Sequence, residues 1–213
     1  APAGSTDLAA RLVLSSAPCS PESPNRAGGQ HTILGAEQRE WLIGRLRAST
    51  ARWNVLAQQV VFSPLVVGSG TFVNHDQWDG YPADRDRLLD VLDALPRRNT
   101  VVLSGDIHLG AFSRVLRAEG ARPSAVEVVT NSISSGGSLG EGNGALIESL
   151  IGAVPGLMYA YEGRRGYTAC TVTREQWRVD YRVVETLDTP GAAGSTHATF
   201  EIRSDLGVRR LNG

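Results

Sequence analysis

The feature that most constrains the fold is a helical pattern followed by a short apolar strand, which occurs twice in succession. Residues Gly35–Ser49 and Ala83–Leu95 place apolar side chains on one face and charged side chains on the other, as surface helices do. Runs rich in β-branched residues follow them, Asn54–Phe62 after the first helix and Thr100–Ser104 after the second. Helices that alternate with apolar strands predict an α/β layer whose strands are buried on both faces.

The pattern changes after Gly110. Two further segments, Ala111–Arg117 and Val126–Thr130, have the composition of strands, and Ser132–Gly144 is a loop rich in Ser and Gly. Alternation of apolar and polar residues then predicts half-solvated antiparallel strands in three segments, Tyr167–Thr173, Trp177–Glu185 and His197–Arg203. We therefore expect one mixed α/β domain over residues 32–213, preceded by a loop-rich tail or linker over residues 1–31, which is rich in Ser, Pro and Gly.

Composition excludes several classes of protein. The chain has 213 residues and a net charge of −1, which argues against a nucleic-acid-binding patch. It contains no apolar run near the ~18 residues that a membrane span requires. Its two cysteines, Cys19 and Cys170, match no zinc-binding spacing and leave one disulfide between them open.

The segment that carries the clearest chemistry is Gly105-Asp106-Ile107-His108, directly after the strand Thr100–Ser104. Open α/β sheets bind their ligands at the carboxyl ends of strands, where Asp106 and His108 can both reach one cation. A carboxylate and an imidazole suit zinc, iron, manganese or calcium, and Gly105 would let the backbone pass closely beneath the ion. The alternative is that Asp106 caps a turn and that His108 is a surface residue.

Other polar segments are less specific. The Asn74-His75-Asp76 stretch is interpreted as a polar turn, and the Arg97-Arg98 and Arg164-Arg165 pairs are interpreted as solvated. The aromatic residues of the Trp78-Asp79-Gly80-Tyr81 loop are costly to leave in water, so this loop packs over either a pocket or the core.

Six segments, taken in order, resemble the PhoD-like alkaline phosphatase/phosphodiesterase family, a branch of the metallophosphoesterases. They are L-G-A-E-Q-R-E-W-L from Leu34, W-N-V-L-A-Q-Q-V from Trp53, W-D-G-Y-P-A-D-R from Trp78, V-V-L-S-G-D-I-H from Val101, V-E-V-V-T-N-S-I-S-S from Val126 and R-G-Y from Arg165. The resemblance implies a metallophosphatase-like sandwich of mixed β-sheets flanked by helices. It also implies a secreted or cell-surface hydrolase of phosphate mono- or diesters that uses calcium and iron, with zinc or manganese in relatives.

The same resemblance assigns roles to particular residues. Asp106 and His108 would be metal ligands. The side chains of Trp78, Asp79 and Tyr81 would line the wall of the substrate pocket. Gln59 stands where related enzymes place a metal-binding His, and it would contact the phosphate or support a ligand.

The chain also departs from the family pattern, because family members are usually much longer. We expect it to be the C-terminal portion, lacking the N-terminal part that carries further metal ligands. The stretch Leu12–Ala17 lacks the family's Asp-Thr-Arg, and Val154–Met158 replaces a segment that contains a His. The site would then need an N-terminal segment or a second chain to complete it. The alternatives are a catalytically inactive remnant that serves binding or assembly, and an unrelated β-rich binding module.

Overall fold

The computed structural model describes residues 32–67, 71–72, 76–137 and 144–212. Interpretations that concern residues 1–31, including Cys19, and those that concern Asn74 and His75 lie outside these ranges. The elements are α1 (Ala36–Ala48), β1 (Asn54–Ala57), β2 (Val66–Val67), β3 (Thr71–Phe72), a 3₁₀ turn (Trp78–Gly80), α2 (Pro82–Ala94), β4 (Thr100–Ser104), β5 (Gly110–Val115), β6 (Ala125–Val129), α3 (Gly144–Ala153), β7 (Leu157–Tyr161), β8 (Gly166–Val172), β9 (Gln176–Val184), β10 (Gly194–Arg203) and β11 (Val208–Asn212).

The strands form two main sheets. The first has the order β1-β4-β6-β5-β7, in which β1, β4 and β6 run parallel and β5 is antiparallel to both β6 and β7. The second is an antiparallel sheet with the order β11-β10-β9-β8. A short antiparallel pair, β2 and β3, stands apart from them. Two sheets with few helices confirm the predicted α/β class of mixed sheets.

The main hydrophobic core lies between the two sheets. Its centre is a stacked pair of rings, Phe112 of β5 and Phe200 of β10, whose centroids are 4.2 Å apart. Valines from β4 and β6 pack around this pair from one side, and Trp177, Val179 and Tyr181 of β9 pack from the other. The alternation predicted for β9 is therefore correct, because its alternate residues Trp177, Val179, Tyr181 and Val183 are all buried.

Helices α1 and α2 cover the opposite face of the first sheet. Ile43 and Leu46 of α1 and Leu88 and Leu92 of α2 pack against it in a cluster that includes Val102 of β4. Both helices begin and end within two residues of the sequence-based bounds, because their apolar stripes do form this interface. The layers therefore run helices, mixed sheet, antiparallel sheet.

The connection between β4 and β5 crosses a neighbouring strand. The two strands are consecutive in the chain, yet β6 lies between them in the sheet. Residues 105–109 consequently pass over the carboxyl end of β6, where Thr130 begins the next loop. The amide of Thr130 donates to the carbonyl of Ser104 over 2.9 Å, which joins the two loops at their bases. Strand order thus brings the loop 105–109 against the loop 130–137.

One expectation about secondary structure needs correction, and several elements were not expected. The buried strand predicted over Asn54–Phe62 is only the four-residue β1, and Val55 is 45% exposed because β1 forms the edge of its sheet among the described residues. Helix α3 and strands β7 and β11 were not predicted. Cys170 lies exposed on β8. Among the residues described, no helix has the length and apolar character needed to cross a membrane.

Candidate functional site

Asp106 and His108 lie on the loop that leaves the carboxyl end of β4, as their position in the sequence predicts. Both adopt a left-handed backbone, with φ of 71° at Asp106 and 54° at His108. Such values are uncommon outside glycine and cost roughly 1 kcal/mol or more per residue, so the surrounding structure must hold them in place. Gly105, by contrast, has no positive φ, and a Cβ there would meet its nearest neighbour at an ordinary 3.6 Å. The expectation that Gly105 lets the backbone pass closely beneath an ion stays a prediction.

A buried glutamine holds the carboxylate of Asp106. Gln77 is 1% exposed, and its Nε2 donates to Oδ2 of Asp106 over 2.7 Å. Its Oε1 accepts the backbone N–H of Val61 over 2.6 Å, which fixes the amide on both sides. Asp106 itself is exposed to solvent. The carboxylate is therefore oriented from beneath and open above, as a metal ligand or a phosphate-site residue must be.

The ring of His108 is oriented by the neighbouring loop. Its Nδ1 lies 2.8 Å from the carbonyl oxygen of Gly136. A carbonyl oxygen can only accept, so Nδ1 donates this hydrogen bond and Nε2 is the ring nitrogen left to face a cation. An imidazole held through Nδ1–H by a backbone carbonyl is the usual arrangement for a metal-binding His.

Arg165 ties the same two loops together. One of its terminal nitrogens donates to the carbonyl of His108 over 3.3 Å and to the hydroxyl of Ser132 over 3.0 Å, and its other terminal nitrogen donates to the carbonyl of Glu162. The interpretation of Arg165 as a solvated residue is therefore wrong. Its half-buried guanidinium replaces water as the partner of several loop oxygens.

Sequence reasoning missed Gln77 and Arg165 as site residues, although each lies in a segment that stands out. Gln77 precedes Trp78 in the loop at residues 74–82, and Arg165 opens the R-G-Y motif. In the sequence, Gln77 is an uncharged residue beside Trp78, and Arg165 is one of two adjacent arginines. Neither pattern shows whether the side chain is buried against the site or lies at the surface.

The donor set fits a cation. The carboxylate of Asp106 offers hard oxygen, and Nε2 of His108 offers a borderline nitrogen, so calcium, iron, zinc and manganese are all chemically compatible. The described part of the chain contains no group of three or more His, Cys, Asp and Glu side chains that could hold a metal ion. Among the described residues, Asp106 and His108 are thus two candidate ligands on one loop.

The other predicted site residues lie elsewhere. Trp78 is buried against Phe62 with ring centroids 4.9 Å apart, and Asp79 is buried and pairs with Arg85 at 2.6 Å. The Asp79 carboxylate also accepts the N–H of Leu65 over 3.1 Å. Their side chains are internal and anchor the segment after β1, whereas the resemblance implied a position in a pocket wall.

Tyr81 and Gln59 remain at accessible positions. Tyr81 is half-buried, and its backbone carbonyl accepts the first amides of α2. Gln59 is exposed, and its backbone carbonyl accepts the N–H of Gly105 over 2.9 Å. It is the neighbouring Gln58 whose side chain enters the interior, where Nε2 donates to Oγ of Ser104 over 2.7 Å. The direct site role predicted for Tyr81 and Gln59 stays a prediction.

Comparison with known proteins identifies the family. The family model described as "PhoD-like phosphatase" matches residues 7–181, which is most of the chain. The chain belongs to the PhoD-like phosphatase family. This family match begins earlier in the chain than Thr32, where the recognisable motifs begin, and it includes the loops of Asp106 and Gly136.

Two PhoD-like relatives show how much of such a protein is present. Alkaline phosphatase D of Bacillus subtilis (strain 168) is 38% identical over 198 residues, which cover 90% of this chain and 34% of that protein. A solved chain titled "Structure of PhoD" matches with a TM-score of 0.77 and 35% identity, covering 91% of this chain and 38% of that one. The chain thus spans about a third of the length of these PhoD-like relatives.

Behind the site of this PhoD-like chain lies a buried carboxyl group. Glu127 of β6 is fully buried and faces the helix layer. It accepts the backbone N–H groups of Phe62 and Ser63, each over 2.7 Å, and the hydroxyl of Ser104. Burial raises the pKa of Glu127 above its usual range, and the hydrogen bonds from Ser104, Ser63 and Phe62 oppose that shift. Glu127 thereby joins the segment after β1 to the end of β4.

Proposed function

We propose that this PhoD-like chain supplies Asp106 and His108 to a metal centre that hydrolyses phosphate mono- or diesters. The observation that carries the proposal is the loop 105–109, which presents a carboxylate held by Gln77 and an imidazole held by Gly136. Both residues adopt the left-handed backbone, so the contacts from Gln77 and Gly136 also help to hold this loop in its conformation. Membership of a phosphatase family supports phosphoester hydrolysis as the chemistry.

Calcium and iron are the metals we expect, with zinc or manganese as alternatives. When bound, such ions polarise a phosphoryl oxygen and activate a water molecule for in-line attack. The chain's own residues orient the ligands. Gln77 holds Oδ2 of Asp106, Gly136 keeps the proton of His108 on Nδ1, and Arg165 fixes the backbone between the two loops.

The centre would be completed by residues beyond the loop 105–109. Catalytic metal sites take three or more protein ligands per ion, and the described residues offer two on this loop. We propose that an N-terminal segment or a second chain supplies the rest, because PhoD-like relatives are about three times longer. The complete protein would be secreted or lie at the cell surface, where a phosphatase can reach external phosphoesters.

The test combines metal binding with turnover. The purified chain is incubated with iron and calcium, then assayed with p-nitrophenyl phosphate and bis-p-nitrophenyl phosphate. We expect metal binding that is lost in Asp106→Asn and His108→Gln, and no turnover by the chain alone. Asp86→Asn, an exposed residue of α2, is the matched control and should bind metal as the unaltered chain does.

Two results would count against the proposal. Turnover by the isolated chain that disappears in Asp106→Asn would support the chemistry but refute an incomplete site. Equal metal binding by the unaltered chain and by both variants would show that Asp106 and His108 do not form a metal centre.

The second candidate function is a binding or assembly module without catalysis. The described edge of the first sheet favours it, because β1 lies at that edge and leaves the apolar side chain of Val55 exposed. An open strand edge beside exposed apolar side chains is a surface that pairs with another chain. Light scattering separates the two candidates, since a monomer at all concentrations that still binds metal through Asp106 would exclude assembly as the primary role.

A further inference from the structure

A concave region lies beside the loop 130–137, between β7 and β10. It is an open groove of about 1030 Å³. Tyr159, Tyr161 and His197 contribute aromatic rings to it, and Arg164 and Arg210 contribute two guanidinium groups. None of these five residues takes part in the hydrogen bonds that hold Asp106 or His108.

The imidazole of His197 is fixed inside the groove. Its Nδ1 lies 2.9 Å from the hydroxyl of Tyr159, and its ring stacks on Tyr161 with centroids 3.6 Å apart and planes 20° apart. Tyr159 is buried, and burial raises the pKa of its phenol, so the hydroxyl keeps its proton. With Nδ1 engaged by Tyr159, Nε2 is the remaining polar atom of the ring.

Two positive charges converge on this imidazole. The guanidinium carbon of Arg210 lies 5.6 Å from the ring centre of Tyr159 and 5.8 Å from that of Phe200, which places the cation over an aromatic surface. Desolvation is the main cause that lowers the pKa of His197, and the charges of Arg210 and Arg164 lower it further. The imidazole is therefore neutral near pH 7, in a positive local potential.

Within the part of the chain that the structure describes, neither Arg164 nor Arg210 forms an ion pair within 4.0 Å. The acidic residue Glu185 is bonded through its backbone N–H to the carbonyl of Ala193. Ala193 precedes His197 by four residues, so the backbone of Glu185 lies about 13 Å from that of His197 along the strand direction. The other charged residues that line the groove are Glu148, Glu162, Arg165 and Asp188.

We propose that this groove binds a compact oxyanion of the phosphate type, held between the guanidinium groups of Arg164 and Arg210 and the imidazole of His197. Planar guanidinium groups donate paired hydrogen bonds that match the oxygen spacing of phosphate. The aromatic rings of Tyr159 and Tyr161 set the position of the donors and exclude water from one side. The site is separate from the proposed metal centre, although Gly136 borders both.

Binding of an anion here has a consequence for His197. A bound phosphate offsets the charges of Arg164 and Arg210, so the pKa of His197 rises in the complex. Linkage then requires that phosphate binds more tightly as the pH falls through that pKa. The imidazole thus reports on occupancy of the groove.

The experiment titrates the full chain with inorganic phosphate and follows the imidazole resonances by nuclear magnetic resonance. A chelator is present throughout, so that phosphate cannot bind through a metal ion. The chain has only four His residues, so His197 and His108 can be assigned by substitution. We expect phosphate to shift the His197 resonances and raise its pKa, while the His108 resonances stay in place. Arg210→Gln and Arg164→Gln should each weaken phosphate binding about tenfold, as loss of one charge-assisted partner does.

Arg209→Gln is the matched control. Arg209 is the preceding residue of β11, it is exposed, and it pairs with Glu201 at 3.4 Å away from the groove. Phosphate binding by this variant should equal that of the unaltered chain. Equal weakening in Arg209→Gln would show a general charge effect and overturn the site, provided that circular dichroism shows all variants folded.

A second arm separates the two sources of such an anion. Titration with phenylphosphonate tests a phosphate-like group carried on a larger molecule, and inorganic phosphate tests the free ion. Tighter binding of phenylphosphonate assigns the groove to a phosphorylated compound, and tighter binding of phosphate assigns it to the free ion. If neither ligand shifts the His197 resonances, or if both shift only those of His108, the proposal is wrong.

Discussion

The two faces of the first sheet differ although the same strands build both. Toward the second sheet, β4 and β6 present Val101, Val126 and Val128 to the stacked rings of Phe112 and Phe200. Toward the helices, the same two strands present Ser104 and Glu127, which hydrogen-bond to the chain that follows β1. One face is apolar throughout, and the other carries a buried polar network near the carboxyl ends of the strands.

The difference separates two tasks. The apolar face holds the layers together by contact that depends on area and fit. The polar face uses directional bonds, which fix the segment 58–63 and, through Gln77, the carboxylate of Asp106. Damage to the first should therefore lower stability without moving the site, whereas damage to the second should move the site.

The largest effect is expected at the centre of the apolar face. Phe200→Ala should lower the free energy of unfolding by about 3–5 kcal/mol, because it removes a fully buried ring and leaves a cavity against Phe112. Phe200→Leu, which refills most of the space, should cost about 1.5 kcal/mol or less. Urea unfolding measures both. A loss below about 1 kcal/mol for Phe200→Ala would mean that the two sheets are not packed as described.

On the polar face, Glu127→Gln should lower the free energy of unfolding by about 1–3 kcal/mol. The amide has one acceptor oxygen, so the N–H of Phe62 or of Ser63 loses its partner in a buried position. Glu119→Gln, at an exposed position, is the control and should change stability by less than about 0.5 kcal/mol. If both variants unfold at the same urea concentration, the carboxyl group of Glu127 does not organise this face.

Gln77→Met tests the link between the polar face and Asp106. The thioether cannot donate to Oδ2 of Asp106, so affinity for calcium or iron should fall about tenfold while the fold is retained. Gln38→Met on the exposed face of α1 is the matched control. Calorimetric titration provides the measurement. Unchanged metal affinity in Gln77→Met would show that orientation of Asp106 does not depend on this buried amide.

The smallest effect is a pH dependence carried by Glu127. Its pKa is raised in the folded chain, so the folded state retains a proton that the unfolded state releases as the pH rises past about 4.5, the ordinary value. Stability that this group contributes at low pH is therefore lost as the pH rises through the folded pKa. Glu127→Gln has no such proton, so the stability gap to the unaltered chain should narrow with rising pH between 4 and 8.

Urea unfolding at several pH values measures that gap, and taking the difference between the two chains cancels the titration of other groups. A gap that widens with rising pH would reverse the sign and show that hydrogen bonds to the charged carboxylate outweigh the burial of Glu127.

Periodicity in the sequence predicted the elements whose one face meets a core. The stripes of α1 and α2 and the alternation of β9 follow directly from which side is buried. Helix α3 was missed because it begins and nearly ends with glycine, at Gly144 and Gly152, and follows a Ser- and Gly-rich stretch. Strand β11 was missed because it is exposed, carries two arginines and pairs, among the described strands, with β10 at the edge of its sheet.

For the candidate site, the position of the loop after β4 follows from the sequence, whereas the residues that support Asp106 and His108 do not. The role of Asp106 and His108 as metal ligands stays a prediction. Asp106 and His108 were recognisable because both follow a strand within four residues. Nothing local distinguishes the buried Gln77 from the exposed Gln59, or the anchored Arg165 from the exposed Arg164. Those differences arise from contacts between residues 16 to 57 positions apart in the chain, which no local pattern records.

The crossing of β6 by residues 105–109 determines how this part of the chain should respond to insertions and to new chain termini. In an ordinary hairpin, the connecting loop tolerates insertions and new chain termini because it contacts only the two strands that it connects. Here the loop 105–109 passes over a third strand, β6. His108 of this loop is also hydrogen-bonded to Gly136 in the loop that follows β6, and Arg165 contacts both loops. A new residue in either loop would therefore displace the other. For the same reason, circular permutation within the loop 105–109 should disturb the loop 130–137 as well.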